Sequence, residues 1–160
     1  HEHRRQRQMC IRDRSFPKGS QMKSIILSAT LLLSSPCLAG DMTIEMLNRD
    51  ADGNKMVFSQ EIVNISSGDT ITWIPTSKGH NVEIITSPNE TEFKSKTNRE
   101  AKFTFTDPGI YYYLCTPHKS MGMIGLVIVD GDTSNIAEIA KSRAVGKSKK
   151  KLKALLSELS

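Results

Sequence analysis

The chain has 160 residues, of which 22 are Lys or Arg and 17 are Asp or Glu, so its formal net charge is +5. The basic excess lies in the first 39 residues, and the remaining 121 residues carry 15 charges of each sign. The positive charge of the whole chain therefore does not indicate a nucleic-acid-binding protein. A stretch of 121 residues is long enough for one domain with an adequate hydrophobic core.

The first 39 residues are predicted to have no part in the fold. Residues 1–21 are polar, Arg-rich and without a pattern, and we interpret them as a non-native or artefactual leader. Residues 22–39 combine a charged start, an apolar run of about ten residues and a series of small residues, which is typical of a secretory signal peptide. Cleavage is expected after Ala39. The apolar run is too short for a membrane anchor, so the sequence predicts an exported protein.

Cysteine usage becomes informative once these segments are set aside. Cys10 and Cys37 fall in the segments that are expected to be removed, which leaves Cys115 as the single cysteine of the predicted mature chain. An intramolecular disulfide is then excluded. A lone thiol in an oxidising space is a liability unless it is buried or bound to a metal, so Cys115 is a candidate ligand.

Between residues 43 and 129 the pattern is mainly that of short strands separated by turns. Turn sequences occupy 50–54, 66–69 and 107–109. The predicted strands are 43–47, 56–58, 61–65, 70–74, 82–85, 101–105, 110–115 and 124–129. The sequence thus predicts a mainly β protein whose strands form an antiparallel sandwich.

After residue 131 the periodicity changes to that of helices. The predicted mature chain therefore divides into a sandwich over 40–131 and a helical extension, packed on the sandwich, over 132–160. Asn135 is predicted to cap a short helix that ends at Lys141, with Glu138 three residues after the cap. A second helix is predicted from about Lys147, with one apolar stripe formed by Leu152, Leu155, Leu156 and Leu159. The lysines off this stripe favour a solvated helix face, and a docking patch is the alternative; they are Lys149, Lys150, Lys151 and Lys153.

The side chains with the most informative chemistry lie between residues 115 and 123. Cys115, His118, Met121 and Met123 bring a thiol, an imidazole and two thioethers within nine residues, and His80 supplies a second imidazole from an upstream loop. One Cys, two His and one weakly bound Met are the ligands of a blue-copper electron-transfer site. Soft sulfur favours Cu(I) and imidazole suits both oxidation states, so such a set can retain copper while it cycles by one electron.

Similar residues also serve other chemistries. A Cys–His–His trio with an open position can form a catalytic zinc site, but Met is a poor zinc ligand and no acidic residue adjoins the 115–123 segment in sequence. Cys–His nucleophilic catalysis is disfavoured because no nucleophile-turn glycines and no orienting acid accompany the pair. The spacing alone leaves the axial ligand open between Met121, in Cys-x2-His-x2-Met, and Met123, in Cys-x2-His-x4-Met.

Several short segments across 41–160 match one known family. They are Met-Val-Phe at 56–58, Gly-Asp-Thr at 68–70, Lys-Gly-His-Asn-Val at 78–82, Phe-Lys-Ser-Lys at 93–96, Pro-Gly at 108–109, Cys-Thr-Pro-His at 115–118 and Met-Gly-Met at 121–123. With the two helices after the sandwich, they make the chain resemble the pseudoazurins, which are type 1 blue copper proteins of the cupredoxin fold. Amicyanin-like proteins, which have the shorter His–Met spacing, lack those helices.

The resemblance implies a cupredoxin-like Greek-key sandwich with two C-terminal helices and one type 1 copper ion per chain. By matching position, His80, Cys115 and His118 are the strong ligands, Met123 is the long axial ligand, and Asn81 tunes the site from beside it. The implied role is that of a monomeric periplasmic electron carrier, not an enzyme, without a membrane anchor. A copper nitrite reductase is the implied acceptor and a c-type cytochrome the implied donor. An amicyanin-like carrier and a copper storage or delivery protein are the alternatives.

The resemblance also implies where partners dock. The exposed edge of His118 is expected to be the electron port, surrounded by Gly79, Pro117 and Met121. Lysines near this end are candidates for steering an acidic partner; they are Lys55, Lys78, Lys94, Lys96 and Lys119.

Overall fold

The computed structural model of the chain describes residues 40–159. The predicted leader (1–21), the predicted signal peptide (22–39), Cys10 and Cys37 all lie outside the described residues. Between residues 40 and 159, no helix is long and apolar enough to cross a bilayer.

Within this range the chain forms nine strands in two sheets, followed by two helices. The strands are β1 (Asp41–Arg49), β2 (Lys55–Phe58), β3 (Ile62–Ile65), β4 (Thr70–Ile74), β5 (Glu83–Thr86), β6 (Phe93–Lys94), β7 (Ala101–Thr104), β8 (Gly109–Leu114) and β9 (Ile124–Val129). One sheet has the order β2-β1-β4-β7 and the other β3-β9-β8-β5-β6. The predicted mainly β sandwich with two C-terminal helices is confirmed. β6 is absent from the predicted strands because two residues are too few to show a period.

Strand direction departs from the antiparallel expectation at two pairs. β1 runs parallel to β4, with Ile44 opposite Trp73, and β3 runs parallel to β9, with Val63 opposite Val127. The other pairs of the described sheets are antiparallel. Sequence period shows which face of a strand a residue occupies, but it does not show the direction of the neighbouring strand. That direction depends on how the chain crosses between the two sheets.

The inner faces of the two sheets enclose a core rich in aromatic rings. Trp73 on β4 and Tyr113 on β8 meet edge to face with ring centroids 5.4 Å apart, and Phe105 meets Tyr111 in the same way at 4.9 Å. All four side chains are at most 1% exposed. Such pairs stabilise a core by about 0.5–1.5 kcal/mol beyond the area that they bury. These contacts fix β4 and β8, and the loops that follow these two strands carry the predicted ligands His80 and Cys115.

β8 and β9 are buried on both faces, which explains their uninterrupted apolar sequences. Tyr111 and Tyr113 belong to the inner core, whereas Ile110, Tyr112 and Leu114 belong to a second apolar cluster beneath the helices. The helices α1 (Ile136–Lys141) and α2 (Lys147–Ser157) cover this outer face with Ile139, Leu152, Leu155 and Leu156. The predicted apolar stripe is confirmed for Leu152, Leu155 and Leu156, whereas Leu159 lies beyond the end of the helix and is partly buried against the same cluster.

Asn135 precedes α1 as predicted, but its predicted capping interaction is wrong. The Asn135 side chain makes no hydrogen bond to the first turn of the helix. Its Oδ1 instead accepts the Ile110 N–H, and its Nδ2 donates to the Ile110 C=O, both at 2.9 Å. Asn135 thus joins α1 to the start of β8, a contact that no local sequence rule anticipates.

The prediction of a solvated lysine face on α2 is wrong at one position. Lys149, Lys150 and Lys153 are exposed. The Lys151 side chain is only 24% exposed and forms an ion pair with Glu61, the residue before β3. The pair joins α2 to the edge of the sheet, so this face of the helix is partly an internal contact.

Candidate metal centre

Two loops at one end of the sandwich carry the predicted ligands. Cys115 directly follows β8, a 3₁₀ turn over Thr116–His118 brings His118 back towards it, and Met123 directly precedes β9. The Cys115 N–H donates to the Met123 C=O at 3.0 Å, which closes the base of this loop. His80 lies in the second loop, between β4 and β5. We call residues 115–123 the ligand loop.

The three strong donors meet at one point. Cys115 Sγ lies 3.7 Å from His80 Nδ1 and 3.4 Å from His118 Nδ1, and the three donor atoms lie within 4.8 Å of one another. In a tetrahedral site with metal–sulfur and metal–nitrogen bonds of about 2.3 and 2.0–2.1 Å, the two donor atoms are about 3.6 Å apart. The two sulfur–nitrogen spacings are those of ligands that share one small ion.

Hydrogen bonds hold His80 in the orientation that such a site needs. Its Nε2–H donates to Asn48 Oδ1 at 2.9 Å, since an amide oxygen can only accept. Asn98 donates its backbone N–H to the His80 C=O at 2.9 Å, and its side chain accepts the Gly79 N–H at 2.5 Å. With the proton on Nε2, His80 Nδ1 carries the lone pair that faces the thiol.

Asn81 joins the two ligand-bearing loops. Its Oδ1 accepts the Thr116 N–H at 2.9 Å, and its Nδ2 donates to Thr116 Oγ1 at 3.0 Å. Asn81 is itself 3% exposed. The residues after His80 and after Cys115 are thus bonded to each other independently of any metal. Such support fixes ligand orientation before the ion binds.

Although no acidic residue adjoins the ligand loop in sequence, the fold brings the Glu83 carboxylate beside it. Glu83 Oε2 accepts a hydrogen bond from Thr116 Oγ1 at 2.5 Å and forms an ion pair with Lys94 Nζ at 3.2 Å. Partial burial is the largest single influence on the pKa of Glu83 and raises it. The hydrogen bonds and positive charges around the carboxylate together lower the pKa by more, so it lies below its usual value. A carboxylate engaged in this way supports Thr116 and is poorly suited to act as a general base.

Burial sets the protonation states of the strong donors. His80 and Cys115 are fully buried, and His118 is half-buried. Desolvation raises the pKa of the Cys115 thiol, against smaller opposite effects of the Asn81 and His118 N–H groups. Desolvation lowers the pKa of both histidines, and repulsion between them lowers that of His80 further. Both imidazoles are therefore neutral at pH 7, as metal ligands must be, and a thiolate forms here only beside a positive charge.

The two candidate axial ligands occupy different environments. Met123 is 0% exposed and belongs to the inner core together with Cys115, whereas Met121 is 43% exposed. Gly122, at φ +99°, lies between them in a conformation that favours glycine. The structure brings Met123, and not Met121, into the core that contains Cys115.

This donor set fits copper. Among residues 40–159, His80, Cys115 and His118 are the one group of three or more His, Cys or acidic side chains whose ligand atoms converge. A thiolate with two imidazoles and a thioether nearby suits an ion that alternates between Cu(I) and Cu(II).

Comparisons with known proteins agree with this geometry. Residues 45–130 match the family of copper binding proteins described as the plastocyanin/azurin family. The pseudoazurin of Paracoccus pantotrophus is 38% identical over 135 residues, which cover 82% of this chain and 92% of that protein. The crystal structure of pseudoazurin from Methylobacterium extorquens AM1 is similar with a TM-score of 0.70 at 31% identity, covering 76% of this chain and 100% of that one. Native pseudoazurin from Hyphomicrobium denitrificans also gives 0.70, at 33% identity, with coverages of 74% and 98%.

A two-sheet sandwich with a Cys–His–His cluster beneath one end defines the cupredoxin class of copper proteins. At these identities and coverages, the chain belongs to the pseudoazurins, the copper electron-transfer proteins within the plastocyanin/azurin family. The predicted family and the predicted copper cofactor are confirmed.

Three residues that support the site, Asn48, Glu83 and Asn98, are absent from the sequence predictions. Glu83 gives no local signal, because its contact with Thr116 joins residues 33 positions apart. Asn48 gives a weak one. It follows Ile44 and Met46 in the two-residue alternation of β1, so it is a polar residue in the apolar phase of the strand, although it is itself exposed.

Replacing Asn48 tests its role in orienting His80. In metal-free Asn48→Ala protein, we expect the His80 ring to become a mixture of tautomers, because the acceptor for its Nε2–H is lost. Copper affinity should fall about 10–100-fold, the usual effect of removing such a partner. Nitrogen-15 NMR of the ring and copper competition with a chelator measure the two effects. Asn64→Ala, on the exposed part of β3, is the control. Unchanged tautomer and affinity in Asn48→Ala would contradict this role.

Proposed function

We propose that His80, Cys115 and His118 bind one copper ion, with Met123 as a weak axial ligand, and that the protein carries single electrons between redox partners. The observation that supports this most strongly is the convergence of both Nδ1 atoms on Cys115 Sγ at a buried end of the sandwich. When bound, copper supplies the one-electron chemistry by alternating between Cu(II) and Cu(I).

The residues around the ligands are suited to electron transfer because they are fixed before the metal binds. Asn48 and Asn98 orient His80, and Asn81 joins its loop to Thr116. A site that moves little between oxidation states loses little free energy to reorganisation. The protein therefore contributes rigidity and exclusion of water to the redox reaction.

We further propose that electrons enter and leave at the edge of His118. It is the one strong ligand that is partly exposed, whereas His80 and Cys115 are fully buried. Gly79 lies beside its ring, since a Cβ at that position would be 3.8 Å from His118 Cε1. The small residue lets a partner approach the ring closely. Because the other ligands are sealed in the core, we propose that the protein is a carrier and not an enzyme.

The compartment and the partners also belong to this proposal. Residues 22–39 act as an export signal, and the mature periplasmic chain has a sandwich over 40–131 and a helical extension over 132–160. The lone mature cysteine is compatible with export, because a buried thiol is protected from oxidation, and more so if it binds a metal. The protein acts as a monomer, with a c-type cytochrome as donor and a copper nitrite reductase as acceptor, as its family relationship implies.

The visible and EPR spectra of the Cu(II)-loaded protein test the proposed site directly. We expect intense visible absorption from thiolate-to-copper charge transfer and the EPR spectrum of a type 1 centre. A colourless metal-loaded protein would favour zinc. Rapid release of copper to a chelator would favour a storage or delivery role.

The first substitution to make is Cys115→Ser. It should abolish the visible absorption, because an alkoxide is a harder and poorer donor to copper than a thiolate. Absorption spectra of the copper-titrated variant and the parent protein provide the measurement. Visible absorption that survives in Cys115→Ser would contradict the assignment of the thiolate.

The two methionines give a matched pair of variants. Met123→Leu should raise the reduction potential, because the thioether is an electron donor that stabilises Cu(II). A tenfold change in the Cu(II)/Cu(I) equilibrium corresponds to about 59 mV, and we expect a rise on this order. Met121→Leu should leave the potential and the EPR spectrum nearly unchanged. Voltammetry of both variants decides between them, and the reverse result would make Met121 the axial ligand.

The docking surface is tested by reversing charges in pairs. Lys78 and Lys119 are exposed and lie two residues before His80 and one after His118. Changing both to Glu should slow electron transfer to an acidic acceptor at low ionic strength, because rim charges act mainly on association. The deficit should shrink at an ionic strength of ~0.15 M, where screening reaches about 8 Å.

Lys150→Glu with Lys153→Glu is the matched control, on the exposed face of α2. Stopped-flow kinetics at several salt concentrations should show a much smaller change for this pair. Equal losses from both pairs would mean that α2 is part of the docking surface.

A further inference from the structure

The first turn of α2 packs directly against the part of the ligand loop that joins His118 to Met123. The Lys147 N–H donates to the Ser120 C=O at 2.9 Å. Ser148 Oγ donates to the Lys119 C=O at 2.5 Å. Two of the four residues between the last two ligands are therefore hydrogen-bonded to the helix through their carbonyl groups.

The hydrogen bond from Ser148 to the Lys119 C=O is buried between α2 and the ligand loop. The Ser148 side chain is 1% exposed, in a helix whose neighbouring residues Lys147 and Lys149 are exposed. A buried hydroxyl is tolerated when it has a partner, and here the partner is a carbonyl of the ligand loop rather than of its own helix. Ser148 therefore has a specific contact, unlike a residue that merely fills the interface.

Gly146 allows the helix to approach the loop so closely. Its φ is +57°, and a Cβ at this position would lie 2.5 Å from the Ser120 carbonyl oxygen. Such a contact is far inside van der Waals separation, so any other residue would push the loop and the helix apart. Gly122 meets the same turn, since a Cβ on it would be 3.7 Å from both Lys147 Cβ and Lys151 Cδ.

The helix that holds the loop is itself fixed to the sandwich. Leu152, Leu155 and Leu156 are buried against the outer face of the sheet, and Lys151 pairs with Glu61. The Glu61 C=O also accepts the Leu126 N–H on β9. The contact with α2 therefore attaches the ligand loop, through the helix, to the sheet.

We propose that Ser148, with Gly146, is a positioning residue for the copper site, which sets the path of the ligand loop between His118 and Met123. The inference rests on the proposed ligand set and extends it to α2. An axial thioether binds copper weakly, so the distance between its sulfur and the metal is set by the protein rather than by the bond. The chain segment that carries Met123 is held at its base by the hydrogen bond from the Cys115 N–H to the Met123 C=O, and on its outer side by α2.

Ser148→Ala removes the hydroxyl with little change of shape. We expect the loop to relax, which should accelerate copper release to a chelator about fivefold, the effect of one hydrogen bond. The EPR spectrum and the reduction potential should change as well. Ser157→Ala is the matched control, because Ser157 lies on the same helix and its hydroxyl bonds within the helix, to the Ala154 C=O. Ser148→Thr, which keeps the hydroxyl, should restore the parent spectrum.

The results separate positioning from packing. A Ser148→Ala protein that loses thermal stability but keeps the copper-release rate, the EPR spectrum and the potential of the parent would overturn the proposal. A shift in those three properties that Ser157→Ala does not share supports it. A parent protein that does not form a type 1 copper site would instead defeat the proposed function itself.

Hydrogen exchange of the unaltered protein gives a second test, which does not depend on a variant that folds. If α2 positions the loop, copper binding must in turn stabilise the contact between them, because coupling between two sites is reciprocal. The amide protons of Lys147 and Met121 should exchange several-fold more slowly in the copper-loaded than in the metal-free protein. Slower exchange at Met121 with no change at Lys147 would overturn the proposal.

Discussion

The structure depends on the burial of one thiol between two imidazoles. Cys115 Sγ has no exposure to solvent and lies within 3.7 Å of His80 Nδ1 and 3.4 Å of His118 Nδ1. Burial raises the pKa of this thiol and lowers those of both histidines. The unmetallated cluster therefore favours the neutral form of each group, and a bound cation supplies the charge that a thiolate needs. The loops, asparagines and strands at this end of the sandwich keep the three donors together.

β8 and β9 link this cluster to the rest of the molecule because they are buried on both faces. Their inward residues form the aromatic core, and their outward residues pack beneath α1 and α2. The ligand loop connects these two strands, so it inherits their rigidity at both ends. Its middle is supported by Lys147 and Ser148 of α2. The helix α2 thus contacts the ligand loop as well as covering the sheet.

Exposure differs among the proposed ligands. His80, Cys115 and Met123 are sealed in the core, where water is excluded, while His118 reaches the surface. Charge follows a similar division. Lys78 and Lys119 are exposed and close in sequence to His80 and His118, whereas Lys94 and Lys151 form ion pairs with Glu83 and Glu61. Lysines that look alike in the sequence therefore differ in their contacts.

The sandwich class, the two helices and the candidate donors of the 115–123 segment could be predicted from the sequence, because each is written in a local pattern, whereas the complete ligand set stays a prediction. Cys115, His118 and Met123 lie within nine residues, and strands and helices show their own periods. Tertiary structure alone decided what depends on distant neighbours. It placed Met123 in the core and Met121 at the surface, ran β1 parallel to β4, and gave Asn48, Glu83 and Ser148 their partners. The hydrogen bonds of these three side chains join residues 29–33 positions apart, and no period or spacing records such pairs.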